Sequence, residues 1–222
     1  MKWLLLLAVC VLLGASSFCA DGFFRQTVLE LQSDDWRNSP SEKFHRKVRV
    51  YGDWPYLMLY GGVGLLVAWR LKNARWKRIL IAAMIASTVA GTLANASRLT
   101  TGRTRPRADV EQGFYGLYHD GKILVGNPNY NSFPSGHTAT AFGFAVPVVC
   151  ASPVVGGVVV LGAALVAWSS MMMGAHHFSD VVVSVLLSLW VGIFVWRRYD
   201  SILAYAKKTY VSWTGRASDS KF

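Results

Sequence analysis

Residues 131–150 read NSFPSGHTATAFGFAVPVVC and change at Thr138 from a polar, turn-rich segment to a long apolar run. In the polar segment, Pro134 and Gly136 favour a turn, and proline also fits the first turn of a helix. A helix that begins here presents free backbone N–H groups to an anion, and His137 adds a group that titrates near neutral pH. An ordinary loop that caps a helix has the same composition. The rest of the chain decides between these two interpretations.

The composition of the chain indicates a membrane protein. Its 222 residues are 53% hydrophobic and 16% charged, with a mean hydropathy of +0.31, whereas charged residues make up about 25% of an ordinary soluble domain. The formal net charge of +11 suits a surface of anionic lipid, or an anionic substrate, better than nucleic acid. The three cysteines all lie in apolar stretches and give neither a disulfide framework nor the spacing of a metal site.

Residues 1–20 have two interpretations that both remain open. Lys2, the apolar run 3–13 and the small residues after it form the pattern of a secretory signal peptide. Residues 3–20 also contain no charged side chain and are long enough for a first transmembrane helix. In either case the segment that follows is predicted to face outward.

Residues 21–53 are predicted to form an outward-facing connector. The segment FFRQTVLELQ, residues 23–32, has apolar residues at roughly helical spacing, which favours an interfacial helix. The remainder is polar and is interrupted by Pro40, which is typical of a solvated connector. His45 lies among charged residues there, and we expect it to have no catalytic task.

Five apolar runs between residues 54 and 197 predict membrane helices. Basic residues cluster between the first two runs, at 70–78, and again from Arg197, which places both clusters in the cytoplasm under the positive-inside rule. The chain is therefore predicted to be an all-α, polytopic membrane helix bundle with five or six transmembrane helices. Residues 54–197 form its membrane core, and residues 198–222 form a cytoplasmic tail.

A cluster of four arginines lies in residues 98–107, at the outer face, where the positive-inside rule disfavours them. Because the planar fork of arginine matches phosphate, the cluster predicts a phosphate clamp. A basic loop that contacts lipid headgroups is the alternative interpretation of this stretch.

A further polar segment, residues 174–180, is placed on the same outer face by the alternation of the apolar runs. His176 and Asp180 are four residues apart and share a face of a helix. A carboxylate bonded to one imidazole nitrogen fixes the tautomer and leaves the other nitrogen free to attack or to accept a proton. A metal site would need a third ligand, and His177 points elsewhere on a helix. The three polar segments together predict phosphoryl transfer through histidine at the non-cytoplasmic face.

These segments resemble the three-part signature of the type 2 phosphatidic acid phosphatase superfamily. Its first motif, Lys, six residues, Arg-Pro, is matched by Arg98 and by Arg105-Pro106, with lysine replaced by arginine. Its second motif, Pro-Ser-Gly-His, is residues 134–137. Its third, Ser-Arg, five residues, His, three residues, Asp, is matched by Ser169, His176 and Asp180, but Ser170 stands where arginine is expected.

The resemblance implies a two-step hydrolysis without metal or cofactor. His176 attacks phosphorus and forms a phosphohistidine, Asp180 orients His176, and His137 protonates the leaving oxygen and then helps water to release phosphate. The phosphate oxygens are held by Arg98, Arg105, Ser135 and Gly136. Because Ser170 removes one cation, either a slower enzyme or a replacement by Arg103 or Arg107 is expected.

The membrane runs predict a lipid phosphate or diphosphate as the substrate, with membrane lipids as the surroundings and no obligate protein partner. The predicted location is the bacterial inner membrane, with the active site facing the periplasm. Two alternatives remain: a phosphotransferase of the same family that passes the phosphoryl group to another lipid, and a decayed member that binds phospholipid without turnover.

Overall fold

The computed structural model describes residues 2–32 and 35–214, and this part of the chain contains eight α-helices. The helices are α1 (Lys2–Cys19), α2 (Asp21–Leu31), α3 (Pro40–Tyr51), α4 (Trp54–Arg70), α5 (Ala74–Thr101), α6 (Gly136–Ala151), α7 (Pro153–Met172) and α8 (Phe178–Thr214). The connection between α5 and α6 contains a small antiparallel hairpin of β1 (Tyr118–His119) and β2 (Lys122–Ile123), followed by a 3₁₀-helix at Pro128–Tyr130. The predicted all-α, polytopic class is confirmed.

Among the residues that the structure describes, three helices are long and apolar enough to cross a membrane: α5, α7 and the part of α8 at Phe178–Ala206. The pair Ala8–Cys19 and Asp21–Leu31, bent by 52°, forms a fourth candidate if it is one broken span. The two other apolar runs form α4 and α6, of 17 and 16 residues, which pack against the long helices. The chain is an integral membrane protein.

The centre of the bundle is the packing of α6 against α5, α7 and α8. One face of α5 carries an alanine at every fourth position, at Ala82, Ala86, Ala90 and Ala94, and all four are fully buried. Small residues allow membrane helices to approach closely. At Gly143 of α6 an added Cβ would lie 2.9 Å from the carbonyl oxygen of Ala86. This close packing holds the middle of α6 against the middle of α5.

The three predicted polar segments meet at one end of the bundle. Thr101, at the end of α5, donates from Oγ1 to the carbonyl oxygen of Phe133 at 2.8 Å. The backbone N–H of Ser135 donates to the carbonyl of Asp180 at 3.3 Å, and the N–H of Arg107 donates to that of Gly174 at 3.1 Å. The topology inferred from the alternation of apolar runs therefore brings these segments together.

The predicted solvated connector is wrong for residues 40–51, which form α3. Ser39 caps this helix by accepting the N–H of Glu42 at 3.0 Å, and Pro40 occupies its first turn. Val48 packs in a core cluster with Val166 of α7. The helix was missed because its buried face consists of only Glu42, His45 and Val48, among many charged residues.

At the other end of the chain, α8 continues to Thr214, well beyond the predicted start of the tail at residue 198. Residues 215–222, the end of the predicted polar tail, lie outside the described residues. The described part of this helical extension contacts the basic hinge, residues 70–78, because Arg78 pairs with Asp200 at 3.0 Å.

Candidate active site

His176 lies in the short loop between α7 and α8, and only 1% of the residue is exposed. Its Nδ1 is 2.7 Å from the carbonyl oxygen of Ser132. A carbonyl only accepts, so Nδ1 must carry the hydrogen and Nε2 must carry the lone pair. Within residues 2–32 and 35–214, the buried Nε2 has no hydrogen-bond partner. The ring is therefore held from one side with its nucleophilic nitrogen free.

Burial lowers the pKa of His176 from its usual 6.5 to about 4, although the neighbouring Asp180 acts in the opposite direction. The loss of hydration disfavours the charged imidazolium. At ordinary pH the ring is therefore neutral, which is the form that a nucleophile requires.

Asp180 contacts His176 less directly than the sequence predicts. Its Oδ2 lies 3.7 Å from Nδ1 of His176, beyond hydrogen-bond distance. The same oxygen accepts from the Ser132 hydroxyl at 2.5 Å and from the N–H of His177 at 2.7 Å. His176 precedes α8, which begins only at Phe178. Its imidazole therefore bonds the Ser132 carbonyl and not the Asp180 carboxylate. Asp180 is thus linked to His176 indirectly, through Ser132, whose hydroxyl donates to Asp180 and whose carbonyl accepts from His176.

Arg103 is committed to carboxylates and is not free for phosphate. Its guanidinium bonds Asp180, and its Nη2 lies 2.6 Å from Oδ2 of Asp21. Asp21 also accepts the N–H of Ser179 at 2.8 Å. The side chain of Arg103 is 7% exposed, so this pairing satisfies a buried charge. Arg103 therefore cannot act as the replacement for the arginine missing at Ser170.

Arg98 and Arg105, the predicted phosphate-binding arginines, both have guanidinium N–H groups without a partner among the described residues. Arg98 donates from Nη2 to Oδ1 of Asn95 at 2.7 Å, and Arg105 donates from Nη2 to the carbonyl of Asn131 at 3.3 Å. The buried Nε of each has no partner in the described part of the chain. Burial, together with the charges of neighbouring arginines, lowers the pKa of Arg105 to about 10. A bound anion would satisfy these donors and relieve the repulsion.

The N-terminus of α6 carries the remaining predicted residues. Ser135 is fully buried, and its hydroxyl lies 2.9 Å from that of Thr138. Gly136 begins the helix, and an added Cβ there would lie 3.5 Å from Nη1 of Arg98. The site therefore brings the first turn of α6 against the end of α5. This arrangement can present backbone N–H groups and a guanidinium to one anion.

His137 has a partner that the sequence did not reveal. Its Nε2 lies 2.7 Å from Oδ1 of Asp53, which immediately precedes α4. The contact with His137 holds the pKa of Asp53 below its usual value. No pattern in the sequence links these two residues, because Asp53 falls in the segment interpreted as a connector.

Two further neighbours were missed. Ser132 belongs to the quoted polar segment, but its role depends on a backbone carbonyl, which carries no sequence signal. Arg49, on α3, acts electrostatically on both His176 and Arg105, because its charge disfavours a further positive charge on each. Its helix was not predicted, so its proximity to the site could not be inferred.

A cavity of about 350 Å³ reaches His176. Residues of α2, including Phe24 and Val28, form part of its wall, and Arg107 and His177 form another part. The cavity thus combines an apolar side with charged side chains and includes His176 in its lining. Such a combination can accommodate a headgroup with an attached hydrocarbon chain.

Within the described ranges, 2–32 and 35–214, no three His, Cys, Asp or Glu side chains form a group able to hold a metal ion. The predicted metal independence stays a prediction.

Comparison with known proteins agrees with this helical arrangement. The sequence model of the PAP2 superfamily matches residues 76–202, more than half of the chain. No curated protein matches the chain significantly. The transmembrane PAP2-type phosphatidylglycerolphosphate phosphatase from Bacillus subtilis is similar in structure, with a TM-score of 0.57 and 18% identity over 89% of this chain and 95% of that one. LpxE from Aquifex aeolicus has a TM-score of 0.51 and 22% identity over 72% of this chain and 88% of that one.

Proposed function

Because the chain belongs to the PAP2 superfamily, we propose that it is a membrane phosphatase that hydrolyses a lipid phosphate or diphosphate through a phosphohistidine. The observation that carries the proposal is the free Nε2 of His176, buried beside basic side chains whose own nitrogens lack partners in the described structure. Unpartnered buried donors are costly, so their convergence favours a site built for an anion.

In the first step, the lone pair on Nε2 of His176 attacks phosphorus while the bond from phosphorus to the leaving oxygen breaks. His137 gives its proton to that oxygen, and the lipid alcohol, or the lipid monophosphate from a diphosphate, departs. The Ser132 carbonyl supports this step because it fixes the reactive tautomer and can stabilise the positive charge that develops on the ring.

In the second step, water attacks the phosphohistidine and His137 accepts its proton. The bond between phosphorus and nitrogen breaks, its electron pair returns to Nε2, and phosphate leaves. Arg98, Arg105, the Ser135 hydroxyl and the Gly136 N–H are proposed to hold the phosphate oxygens through both steps. A preorganised cationic site of this kind stabilises the charge of the transferring group.

The membrane core and the apolar wall of the cavity favour a lipid substrate. The Bacillus subtilis protein of similar fold is named for phosphatidylglycerolphosphate, and that lipid belongs in the first set of substrates to test. The basic hinge at 70–78, at the end of the bundle opposite the site, supports an outward-facing site, which in a bacterial inner membrane faces the periplasm.

The test is phosphate release from detergent-dispersed lipid phosphates, with a chelator present, by the wild type and by His176→Ala. The matched control is His119→Ala, because His119 lies on the hairpin outside the site. We expect release by the wild type and the control, and none by His176→Ala. Release abolished by the chelator would overturn the metal-independent scheme. Transfer of the phosphoryl group to a second lipid, instead of phosphate release, would establish the phosphotransferase.

A further inference from the structure

Ser170 leaves the third motif without its arginine. The residue is fully buried, and its hydroxyl donates to the carbonyl of Val166, one turn earlier in the same helix, at 3.0 Å. This contact satisfies the serine but supplies no charge. Since α7 gives no cation here and Arg103 is paired with Asp21 and Asp180, any replacement must come from another element.

Helix α3 is fixed against this part of α7 and against α6. Nδ1 of His45 lies 3.0 Å from Oγ of Ser169, the residue before Ser170. Gly52, just after the helix, fits so tightly that an added Cβ would lie 2.4 Å from Cγ1 of Val166. The carbonyl of Gly52 also accepts the Thr140 hydroxyl at 2.8 Å. The chain from His45 to Gly52 therefore has a defined position beside the third motif.

Arg49 lies within this fixed stretch. It is one turn after His45, on the same side of α3. The contacts on either side of it reach Ser169 and Val166, which both lie in the turn of α7 that ends at Ser170. Its Nε is buried and has no hydrogen-bond partner among the residues that the structure describes. An unpartnered guanidinium nitrogen thus belongs to the helix that packs against the turn of α7 lacking a guanidinium.

The electrostatics agree with this position. Burial and the charges of Arg107 and Arg98 lower the pKa of Arg49, while the carboxylate of Asp53 raises it. Arg49 also contributes to the lowered pKa values of His176 and Arg105. These mutual effects agree with a position of Arg49 in the same cluster of charges as the nucleophile.

We propose that Arg49 binds the phosphate oxygens of the substrate and supplies from α3 the cation that Ser170 does not supply from α7. This inference rests on the proposed function, and it adds to the site a residue from outside all three motifs. Arg107, which is exposed and lines the cavity, is better placed to meet the substrate outside the buried cluster.

The test measures the dissociation constant of inorganic phosphate by calorimetric titration of the detergent-solubilised full chain. The variants are Arg49→Met and, as the matched control, Lys47→Met, because Lys47 is an exposed cation on the same helix. Loss of one charge-assisted hydrogen bond is expected to weaken phosphate binding about ten- to a hundredfold in Arg49→Met. Lys47→Met should bind phosphate as the wild type does. Restored binding in the double variant Arg49→Ser/Ser170→Arg would support the replacement directly.

Phosphate binding by folded Arg49→Met that equals the wild type would overturn the inference, as would an absence of binding by the wild type. If Arg49→Met does not fold, Arg49→Gln, which keeps polarity without charge, decides by the same criterion. The titration needs no turnover. The wild type could therefore bind phosphate in a way that depends on Arg49 and yet hydrolyse no lipid phosphate. That result would refute the proposed function but support this inference.

Discussion

Nε2 of His137 lies 2.7 Å from Oδ1 of Asp53, so a residue before α4 positions the proposed general acid at the start of α6. A carboxylate bonded to one nitrogen of an imidazole fixes the orientation of the ring. The PSGH motif therefore depends on a carboxylate from outside the three motifs.

For Asp53→Asn, we expect slower hydrolysis of lipid phosphates, whose alkoxide leaving group needs a proton. Loss of one charge-assisted hydrogen bond corresponds to about a ten- to hundredfold decrease in kcat/KM. With para-nitrophenyl phosphate, whose leaving group departs without protonation, the decrease should be much smaller. The measurement is the ratio of the two rates in the variant and in the wild type. Asp120→Asn, an exposed carboxylate on the hairpin, serves as the control, and an equal decrease for both substrates would contradict the role of Asp53.

The pairing of His137 with Asp53 is a contact that the sequence could not predict. The apolar runs and polar segments are local patterns, and they predicted the helical bundle and the meeting of the three segments. Ser132 and Asp53 act through contacts between segments that are distant in the chain. Ser132 acts on His176 through its backbone, which any residue would provide.

Helix α3 was missed for a related reason. Helical periodicity is recognised from apolar residues on one face, but two of the three buried residues of α3 are Glu42 and His45. His45, which was expected to have no catalytic task, is buried and contacts Ser169. Buried polar residues need partners, and those partners are known only once the helices are packed.

Arg98 and Arg103 should respond differently to the same substitution. Removing Arg103 leaves the buried carboxylate of Asp180 without its ion pair, and breaking such a pair costs about 3–5 kcal/mol. Arg98 bonds only an exposed asparagine among the described residues. We expect Arg103→Met to lower the free energy of unfolding strongly, and Arg98→Met to weaken phosphate binding with little loss of stability. Denaturant unfolding and phosphate titration of both variants measure this, and similar stability losses in the two would contradict it.

Asp180 is expected to support His176 through Ser132. Ser132→Ala removes the hydrogen bond between the carboxylate and the serine hydroxyl, and Asp180→Asn removes the negative charge that strengthens it. If the carboxylate acts through this bond, the double variant should lose little more kcat than Asp180→Asn alone, because coupled residues are not additive. A double-mutant cycle on kcat measures the coupling. Independent, additive losses would support a direct contact between Asp180 and His176 during turnover.

The lowered pKa of His176 predicts where activity is lost in acid. Attack requires the neutral ring, and burial lowers its pKa to about 4, so protonation should remove the nucleophile near pH 4 instead of pH 6.5. Unfolded chain binds this proton below about pH 6.5, whereas the folded chain resists it. His176 therefore destabilises the fold progressively as the pH falls from about 6.5 towards 4.

Nitrogen-15 NMR of histidine-labelled protein measures the titration of His176 directly, with His176→Asn to assign its signals. We expect a midpoint near pH 4 and, above it, a hydrogen on Nδ1, as the contact with the Ser132 carbonyl requires. After correction for the ionisation of the substrate, kcat/KM should fall below the same pH, because protonation removes the nucleophile. The His119→Ala control should give the same midpoint, because His119 lies outside the site. A midpoint near 6.5, or a hydrogen on Nε2, would mean that the ring is hydrated or turned, and the nucleophile would not be prepared as the structure indicates.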